Sequence, residues 1–369
     1  CDAPDVQAYP QLASDGAGGA IITWRDSRLY GYSGVDIYAQ RVTAQGGTLW
    51  AANGVPICTA PANQMDPIIV SDGAGGAVIA WMDSRDQDTG TNVYLQRVNS
   101  AGTPQWPANG VGYLAYGNQQ FNGTAIASDG SGGAIVAWQD DYFGANDLDI
   151  RALRIDGNGN FPWSPANVWI CGAGGSQYLR GCAGDGWGNM VITWRDERYG
   201  TNDPDVFAQF LDASGAVHWN GWGAGVCTTV DPQEGSRAVL DELGDAVITW
   251  TDQGSGSDIY AQRMSAAGDR LWEWSGQAVC TESHIQHSPA IVEAGSCGAV
   301  IAWTDLRWVG VPGQDTSWDI YGQRVYCDGS LSQFIAVDVP NGGEVWQAGT
   351  THNITWHCEG INNRDVRIE

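Results

Sequence analysis

The chain is built from short apolar segments separated by clusters of Gly, Asp and Ser. In its first part, residues 9–13, 20–24, 36–42 and 50–58 are rich in aromatic, β-branched and small apolar side chains. Residues 15–19 read Asp-Gly-Ala-Gly-Gly, which is typical of a tight turn because Gly adopts positive φ without a steric cost. Apolar runs of this length between turn signals predict β-strands. We therefore expect four strands, a to d, in this part of the chain.

The same four segments recur along the chain. Strand b ends in Trp-x-Asp in every copy, and the Trp residues lie 53 to 57 positions apart, at Trp24, Trp81, Trp138, Trp194, Trp250 and Trp303. A fixed period of this size indicates repeated supersecondary units. The pattern predicts an all-β fold, a six-bladed β-propeller of four-stranded antiparallel blades. An open solenoid of hairpins is the alternative, and it is disfavoured because neither end carries a polar capping repeat.

The sixth copy lacks its strand d. We place the propeller at residues 1–332, with repeats at about 7–60, 61–117, 118–174, 175–230, 231–283 and 284–332. No Trp followed by Gly-Val-x-x-Cys comes after strand c of the last copy, while residues 1–4 align with residues 58–61 at the end of a strand d. The N-terminus therefore carries only the last residue of the missing strand, and we expect an exposed strand edge in the sixth blade.

A strongly acidic composition narrows the classes of partner. The chain has 42 acidic residues against 17 basic ones, all Arg, and a formal net charge of -25. Such a surface repels phosphate backbones, which excludes nucleic acid as a partner and disfavours anionic membranes. No apolar run approaches the roughly 18–20 residues needed to span a bilayer. Calcium, basic partners and neutral glycans stay open.

Seven of the nine Cys residues fall into two groups, and Cys182 and Cys358 have no predicted partner. Five Cys residues occupy the same position of the repeat in different copies: Cys1, Cys58, Cys171, Cys227 and Cys280. This recurrence indicates a buried small apolar site rather than disulfide bonding between blades. Cys1 has a second interpretation, as the lipidated first residue of a bacterial lipoprotein. Cys297 and Cys327 lie eight positions outside the opposed Asp305 and Asp319, so they face each other on adjacent strands. We predict a disulfide between them, which favours an oxidising, extracytoplasmic setting.

From residue 333 to residue 369 the pattern changes. Residues 340–346 read Pro-Asn-Gly-Gly-Glu-Val-Trp, and Ala348-Gly349 and Ile354-Thr355-Trp356 follow. This P-N-G-G-E-x-W phrase resembles the start of an immunoglobulin-like module of large secreted bacterial surface proteins, similar to the Ser-Thr-rich wall-protein family. The six W-x-D repeats likewise resemble propeller repeats of secreted bacterial proteins. The resemblance implies an extracellular or cell-surface location, part of a β-sandwich after the propeller, and a natural protein that continues beyond residue 369.

The recurring Asp and Arg residues invite a functional interpretation. The Asp of Trp-x-Asp recurs as Asp26, Asp83, Asp140, Asp196, Asp252 and Asp305, and an Arg follows at a fixed offset at Arg28, Arg85, Arg198 and Arg307. The Arg set resembles the arginine cluster of sialidases, which are also six-bladed propellers, but the Tyr–Glu pair and the Asp-box phrase of that family are not matched. Strict repetition favours a structural role, with each Asp accepting backbone N–H bonds where strand b ends.

The loops between strands b and c vary most, and loops on one face of a rigid scaffold are the usual place for binding. Their aromatic and acidic side chains suit a glycan platform, with candidates Tyr30, Tyr32, Asp88, Tyr142, Asp147, Tyr199, Asp203, Trp308 and Trp318. Asp147 with Asp149, or Asp203 with Asp205, is a candidate calcium pair. We interpret His284 and His287 as loop polarity rather than a zinc pair. The sequence assigns no catalytic residue and no cofactor.

These observations lead to two hypotheses. The first is an extracellular, non-enzymatic propeller scaffold for adhesion or surface architecture. Its partners are other copies of itself or other surface proteins, and its incomplete sixth blade accepts a strand from a neighbouring molecule to build a filament. The alternative is a carbohydrate-active hydrolase or lyase with its site in the propeller funnel. An edge of the sixth blade that is closed by the chain itself would rule out the filament. An enzyme would require two unique carboxylates within roughly 5–10 Å on one face.

Overall fold

The computed structural model contains 25 β-strands in the part of the chain that it describes. It describes residues 1–86, 90–113, 123–140, 147–254, 256–295, 297–307 and 318–332, and the backbone of 335–339 and 355–358. The strands form six antiparallel sheets, each built from strands that follow one another in the sequence.

The first three sheets contain β1 (Gln7–Ser14), β2 (Ala20–Asp26), β3 (Asp36–Val42) and β4 (Val55–Cys58); β5 (Gln64–Ser71), β6 (Ala77–Asp83), β7 (Asn92–Val98) and β8 (Val111–Tyr113); and β9 (Thr124–Ser128), β10 (Ala134–Asp140), β11 (Asp149–Ile155) and β12 (Asn167–Cys171). The last three contain β13 (Gln177–Gly184), β14 (Met190–Asp196), β15 (Asp205–Leu211) and β16 (Ala224–Cys227); β17 (Gln233–Leu240), β18 (Ala246–Asp252), β19 (Asp258–Met264) and β20 (Gln277–Cys280); and β21 (Gln286–Glu293), β22 (Ala299–Asp305), β23 (Asp319–Val325), β24 (Ile335–Val339) and β25 (Thr355–Cys358).

By their internal contacts the residues fall into two compact units. One comprises Cys1–Ile192 with Phe210–His218, and the other comprises Thr193–Gln209 with Trp219–Glu369. In the first unit, apolar side chains of the first and second sheets share one core around Trp81, and those of the second and third share another around Trp138. In the second unit, the fifth and sixth sheets share a core that includes Trp303. Trp81, Trp138 and Trp303 of the repeat therefore build the cores between neighbouring sheets.

Within each unit, the first strand of one sheet packs against the first strand of the next. In the first unit β1 packs on β5, β5 on β9 and β9 on β13, and in the second unit β17 packs on β21. Sheets of four antiparallel strands that pack face to face with their first strands side by side are the blades of a β-propeller. The predicted six-bladed β-propeller is confirmed.

A second Trp in the repeat joins consecutive blades. The indole of Trp50 donates to the carbonyl oxygen of Ser100 at 3.0 Å, and Trp272 donates in the same way to Cys327 at 2.8 Å. Strand d begins later than the sequence predicts, because the residues after this Trp form a turn in which Asn53 and Gly54 have φ of 65° and 87°. Each of these Trp residues therefore precedes its strand d and links it to the next blade.

The sixth sheet is completed by the chain itself. Strand β24 pairs antiparallel with β23, with Ala336 opposite Tyr321 and Ile335 opposite Gly322, and β25 pairs in turn with β24. The fourth strand position of this sheet is therefore occupied, and the exposed edge expected there is absent. The predicted immunoglobulin-like module, residues 333–369, lies outside the described residues apart from the backbone of these two strands.

Cys297 and Cys327 form the disulfide that the strand register predicts, with a Cα–Cα distance of 5.4 Å. The repeat position holds buried thiols at Cys58, Cys171, Cys227 and Cys280, whereas Cys1, predicted to be buried with them, is exposed. Burial raises the pKa of the Cys58 thiol to about 12, which leaves it inert as a nucleophile at neutral pH. No helix in the described part of the chain is long and apolar enough to cross a membrane.

Candidate functional site

The repeated Asp residues hold the end of strand b. The Asp26 carboxylate accepts a hydrogen bond from the indole of Trp24 at 2.8 Å, one from the backbone N–H of Arg28 at 3.0 Å, and two from the Arg28 guanidinium. Burial alone would raise the pKa of the Asp26 carboxyl, but the hydrogen bonds from Arg28 and Trp24 outweigh it and the pKa lies below its ordinary value. The same arrangement recurs at Asp83 with Arg85, Asp196 with Arg198 and Asp305 with Arg307.

The recurring Arg residues also tie strand d to the end of strand b. The Arg85 guanidinium donates to the carbonyl oxygen of Asn109 at 3.0 Å and lies over the ring of Tyr94, 3.9 Å from its centre. In the third blade Arg151 of strand c pairs with Asp140 instead. We call the recurring Asp–Arg pair the clasp of its blade. The contacts of the clasp therefore explain why these Asp and Arg side chains recur, because they have a structural role in the blade.

A second Asp lies opposite the clasp in most blades, on strand c. Asp36 is paired in register with Asp26 and is fully buried, and burial raises the pKa of its carboxyl to about 6. Burial, followed by the neighbouring carboxylate of Asp147, likewise raises the pKa of Asp149 to about 7. The carboxyl of Asp205 has a pKa of about 7 for the same reason, with Asp203 as its neighbour. These strand-c carboxyls are protonated much more readily than an ordinary Asp.

The candidate calcium pairs lie at the start of strand c in the third and fourth blades, where β11 begins at Asp149 and β15 begins at Asp205. Among the described residues, no group of three His, Cys, Asp or Glu side chains is arranged to hold a metal ion. Calcium at Asp147 with Asp149, or at Asp203 with Asp205, stays a prediction.

The predicted ligand loops are only partly described. Tyr30, Tyr32 and Tyr199 are exposed, and Trp318 is about half exposed. Asp88, Tyr142 and Trp308 lie outside the described residues. The described members therefore present aromatic surface, and their role in binding stays a prediction.

The side chains that break the repeat lie on the first strands. In β17 a bulge separates Glu234 from Arg237, and in β21 a bulge at the same place separates His287 from Ala290. Gly235 and Ser288 have φ of 66° and 56° at these bulges. A bulge re-aims the side chains around it, and left-handed backbone at a residue such as Ser288 is a strain that is often kept at functional sites.

The two bulges line one pocket in the second unit, with a volume of about 280 Å³. We call it the bulge pocket, and it is lined by Glu234, Gly235, Arg237, Thr251, Gln253, His287, Ser288 and Pro289. At the places of Glu234 and His287 the first and second blades have Ala8 and Met65. The pocket therefore combines an imidazole, a guanidinium and a carboxylate at positions that the repeat does not require.

His287 is held by its neighbours on three sides. Its Nδ1 lies 3.0 Å from Oγ1 of Thr304, the residue opposite it on β22, and 2.7 Å from Oγ of Ser288. Its ring packs edge-on against Trp318, with ring centres 4.5 Å apart. His287 is half-buried, and the pairing of β21 with β22 fixes its backbone. These contacts restrict rotation of the ring. Both hydroxyls contact Nδ1 and not Nε2.

Two carboxylates share one guanidinium beside the pocket. Arg195 lies 2.7 Å from Oε1 of Glu197 through Nη1 and 3.3 Å from Oε1 of Glu234 through Nε. The Glu234 side chain is 40% exposed, whereas that of Glu197 is 9% exposed. Glu234 is therefore the member of this pair that is open to a ligand.

A larger groove of about 520 Å³ lies in the first unit. Repeat positions such as Ile22, Trp24 and Gln40 line it, and its described lining includes neither Arg nor His. Asp2 is the acidic side chain in this described lining, and the groove lacks the imidazole and the guanidinium of the bulge pocket.

The first unit has its own bulges, on β1 and β5. Tyr9 and Asp66 occupy them with φ of 55° and 49°. The Arg25 guanidinium lies over the Tyr9 ring, 3.9 Å from its centre, and pairs with Asp66. This cluster contains no imidazole and no second carboxylate, so it offers fewer acid–base groups than the bulge pocket.

Sequence reasoning did not find the bulge pocket. It treated His287 as loop polarity, although the residue lies in β21, and it did not single out Glu234, Arg237 or Thr304. One signal was available. Pro is disfavoured within strands except at edges and bulges, and Pro10, Pro67 and Pro289 mark three of the bulges.

No family model and no curated protein matches this chain. Solved structures match it in fold. A structure of a polysaccharide lyase, a PL25 ulvan lyase, is 11% identical with a TM-score of 0.52, over 87% of this chain and 83% of that one. The same type of lyase bound to -[GlcA(1-4)Rha3S]- is 11% identical with a TM-score of 0.51, over 91% and 88%. An α-L-arabinanase from Penicillium chrysogenum, complexed with arabinobiose, is 14% identical with a TM-score of 0.47, over 86% and 93%.

The prediction of a non-enzymatic scaffold that assembles by strand donation is wrong. Two structures that match with a TM-score above 0.5 are those of a polysaccharide lyase with the same fold. In addition, β24 of the same chain fills the strand position that a neighbouring molecule was expected to supply.

Proposed function

We propose that this protein is a polysaccharide lyase that cleaves a uronate-containing polysaccharide by β-elimination in the bulge pocket. The observation that carries the proposal is the presence of His287 and Arg237 in one pocket, on bulged strands, at positions free of the repeat. A β-elimination next to a carboxylate needs a base for the proton and a cation for the charge that develops on the carboxylate. His and Arg are the side chains that supply these two functions at neutral pH.

The reaction proceeds as follows in this pocket. The Arg237 guanidinium pairs with the uronate carboxylate and makes the proton on C5 more acidic. His287 takes that proton, the electron pair forms a C4–C5 double bond, and the bond from C4 to its glycosidic oxygen breaks. The leaving oxygen then receives a proton, which protonated His287 returns. The products are an unsaturated uronate at one new end and an ordinary reducing end at the other.

The fold and the size of the pocket support this proposal. Ulvan lyase, whose structures match the fold over most of both chains, is seen bound to a glucuronate-containing repeat. A pocket of about 280 Å³ lies at the lower end of ligand-site volumes, which run from roughly 300 Å³ upward. It therefore suits one sugar ring, with neighbouring rings of the polymer lying outside it.

Hydrolysis is the second candidate, and the carboxylate pair favours it. Glycoside hydrolases use two carboxyl groups that flank the scissile bond, roughly 5–10 Å apart. Glu234 and Glu197 contact the same Arg195 guanidinium, which keeps them close. Glu197, however, is buried and does not line the bulge pocket, whereas His287 and Arg237 both do. The lyase reaction uses the groups that line the pocket, so it is the better supported of the two.

We also propose that the protein acts outside the cytoplasm, as a secreted or surface protein. The Cys297–Cys327 disulfide supports this, since disulfides persist in oxidising compartments. The interpretation of residues 333–369 as the start of an immunoglobulin-like module belongs to the same proposal.

The proposal is tested with purified protein and a panel of uronate-containing and neutral polysaccharides. We expect an increase in ultraviolet absorbance from the new double bond with at least one uronate polymer. His287→Gln should lower kcat by about 100-fold or more, because a positioned general base contributes about 10²–10⁴ in rate. Arg237→Met should raise KM and lower kcat together.

The matched control is His284→Gln, which changes an exposed His in the loop before β21, outside the lining of the bulge pocket. It should retain wild-type rates. Reducing ends that appear without the ultraviolet signal would replace the lyase with the hydrolase. Full activity in His287→Gln would remove the bulge pocket as the site.

A further inference from the structure

The Thr304 hydroxyl contacts His287 at two atoms. Its Oγ1 lies 2.9 Å from the backbone carbonyl oxygen of His287 and 3.0 Å from Nδ1 of the His287 ring. A hydroxyl has one proton to donate, and a carbonyl oxygen accepts only. The Thr304 proton is therefore committed to the carbonyl, and toward Nδ1 the Thr304 oxygen acts as an acceptor.

This arrangement determines which ring nitrogen of neutral His287 carries the proton. An acceptor facing Nδ1 stabilises the Nδ1–H form, because the hydrogen bond made by one ring nitrogen sets the tautomer of the other. The Ser288 hydroxyl, 2.7 Å from Nδ1, is on the exposed surface and is able to direct its own proton to solvent. It thus provides a second acceptor for the same N–H. The lone pair is then on Nε2.

Thr304 is not required by the repeat. It occupies the middle position of Trp-x-Asp, where the other blades have Arg25, Met82, Gln139, Arg195 and Thr251. These side chains differ in size, charge and hydrogen bonding, so the blade accepts many residues there. The pairing of Thr304 with His287 across β22 and β21 is therefore a particular feature of the sixth blade.

We propose that Thr304 is a positioning residue that holds neutral His287 in the Nδ1–H tautomer and so presents Nε2 as the base of the bulge pocket. The identity of the reaction rests on the proposed function; the tautomer itself does not. Trp318 assists by packing against the ring edge, and Glu234 and Arg237 are the charged side chains that share the pocket with it. Without the Thr304 hydroxyl, the Ser288 hydroxyl is free to donate its proton to Nδ1. The Nε2–H form, which free imidazole prefers, would then put the ring proton on the atom that must accept one.

The direct test is long-range ¹H–¹⁵N correlation NMR of protein labelled with ¹⁵N-histidine. The chain has five His residues, and the spectrum of His287→Gln assigns the signal of interest. We expect Nδ1–H for neutral wild-type His287, a shift toward Nε2–H in Thr304→Val, and a return to Nδ1–H in Thr304→Ser. Thermal unfolding of the three proteins confirms that each is folded when its spectrum is recorded.

Kinetics on a cleaved substrate provides the second measurement. Thr304→Val should lower kcat by about tenfold or more with little change in KM, and Thr304→Ser should restore it. An Nε2–H signal in the wild-type protein, or an unchanged tautomer in Thr304→Val, would overturn the assignment of Thr304. If the tautomer is as expected but His287→Gln keeps full activity, the proposed function fails and the tautomer assignment stands.

Discussion

At the scale of single residues, two chemically identical side chains behave oppositely within one blade. Asp26 is ionised and satisfied by Trp24 and Arg28, and its pKa lies below the ordinary value. Asp36, directly opposite, is buried with the Ser33 hydroxyl as a donor, and its pKa is raised to about 6. Two like charges in register on adjacent strands destabilise a sheet. Below about pH 6 the blade avoids this cost by keeping a proton on Asp36.

Substitution of Asp36 by Asn tests this account of the pair. The folded pKa of about 6 lies above the ordinary 3.8, so the folded state binds the proton more tightly than the unfolded state. The stabilising contribution is complete below about pH 4 and is lost as the pH rises to about 6. Asn cannot ionise, so Asp36→Asn should gain about 2 kcal/mol relative to wild type between pH 4 and pH 8.

The measurement is urea unfolding of both proteins across that pH range. The second blade provides the precedent, since Asn92 already stands opposite Asp83. A stability difference that does not change with pH would show that Asp36 is ionised throughout.

At the scale of the blade, the clasp joins three strands through one guanidinium. Arg85 contacts Asp83 at the end of β6, the ring of Tyr94 on β7 and the Asn109 carbonyl just before β8. The Asp83 side chain is fully buried, so loss of its partner leaves a buried charge. The clasp is therefore part of the stability of the blade.

Replacement of Arg85 by Met should lower the free energy of unfolding by about 2–4 kcal/mol, because breaking a buried ion pair leaves the remaining charge without compensation. The double variant Arg85→Met/Asp83→Asn should recover part of that loss, since it removes the orphaned charge as well. Urea unfolding of the three proteins gives both values. Equal stability of Arg85→Met and wild type would show that the clasp contributes nothing.

The sequence predicts the blades and their order, but it does not predict the bulge pocket. The Trp-x-Asp period and the Gly turns predict the strands, and the opposed Asp305 and Asp319 predict the disulfide register. Bulges recur at the same place on β1, β5, β17 and β21, but the side chains that they carry differ from blade to blade. An argument based on repetition therefore overlooks Glu234 and His287. Nor did the sequence indicate that β24, from the changed C-terminal segment, would complete the sixth sheet, because its apolar run carries no repeat signature.

At the scale of the whole molecule, the charge of the protein opposes its proposed substrate. A net charge of -25 repels a polyanion, while Arg237 in the pocket attracts one carboxylate at short range. Screening acts on the distant charges first, since the Debye length falls from about 30 Å at 0.01 M salt to about 8 Å at 0.15 M. Binding of the polymer should therefore improve when moderate salt is added.

We expect kcat/KM on a uronate polymer to rise by about threefold or more between these two salt concentrations. A neutral polysaccharide cleaved by the same protein would show little change. Initial rates at low substrate concentration measure the effect directly. A steady fall in kcat/KM with salt would mean that local attraction outweighs the net charge, and it would contradict this account of substrate approach.

The bulge pocket is proposed to cleave a uronate polysaccharide by elimination. Mass spectrometry of the products tests it most directly, because elimination leaves a terminal uronate one water lighter than hydrolysis does. The account predicts unsaturated oligosaccharides from wild type and from His284→Gln, and their loss in His287→Gln. Saturated products alone, or no scission of any uronate polymer in the panel, would contradict it.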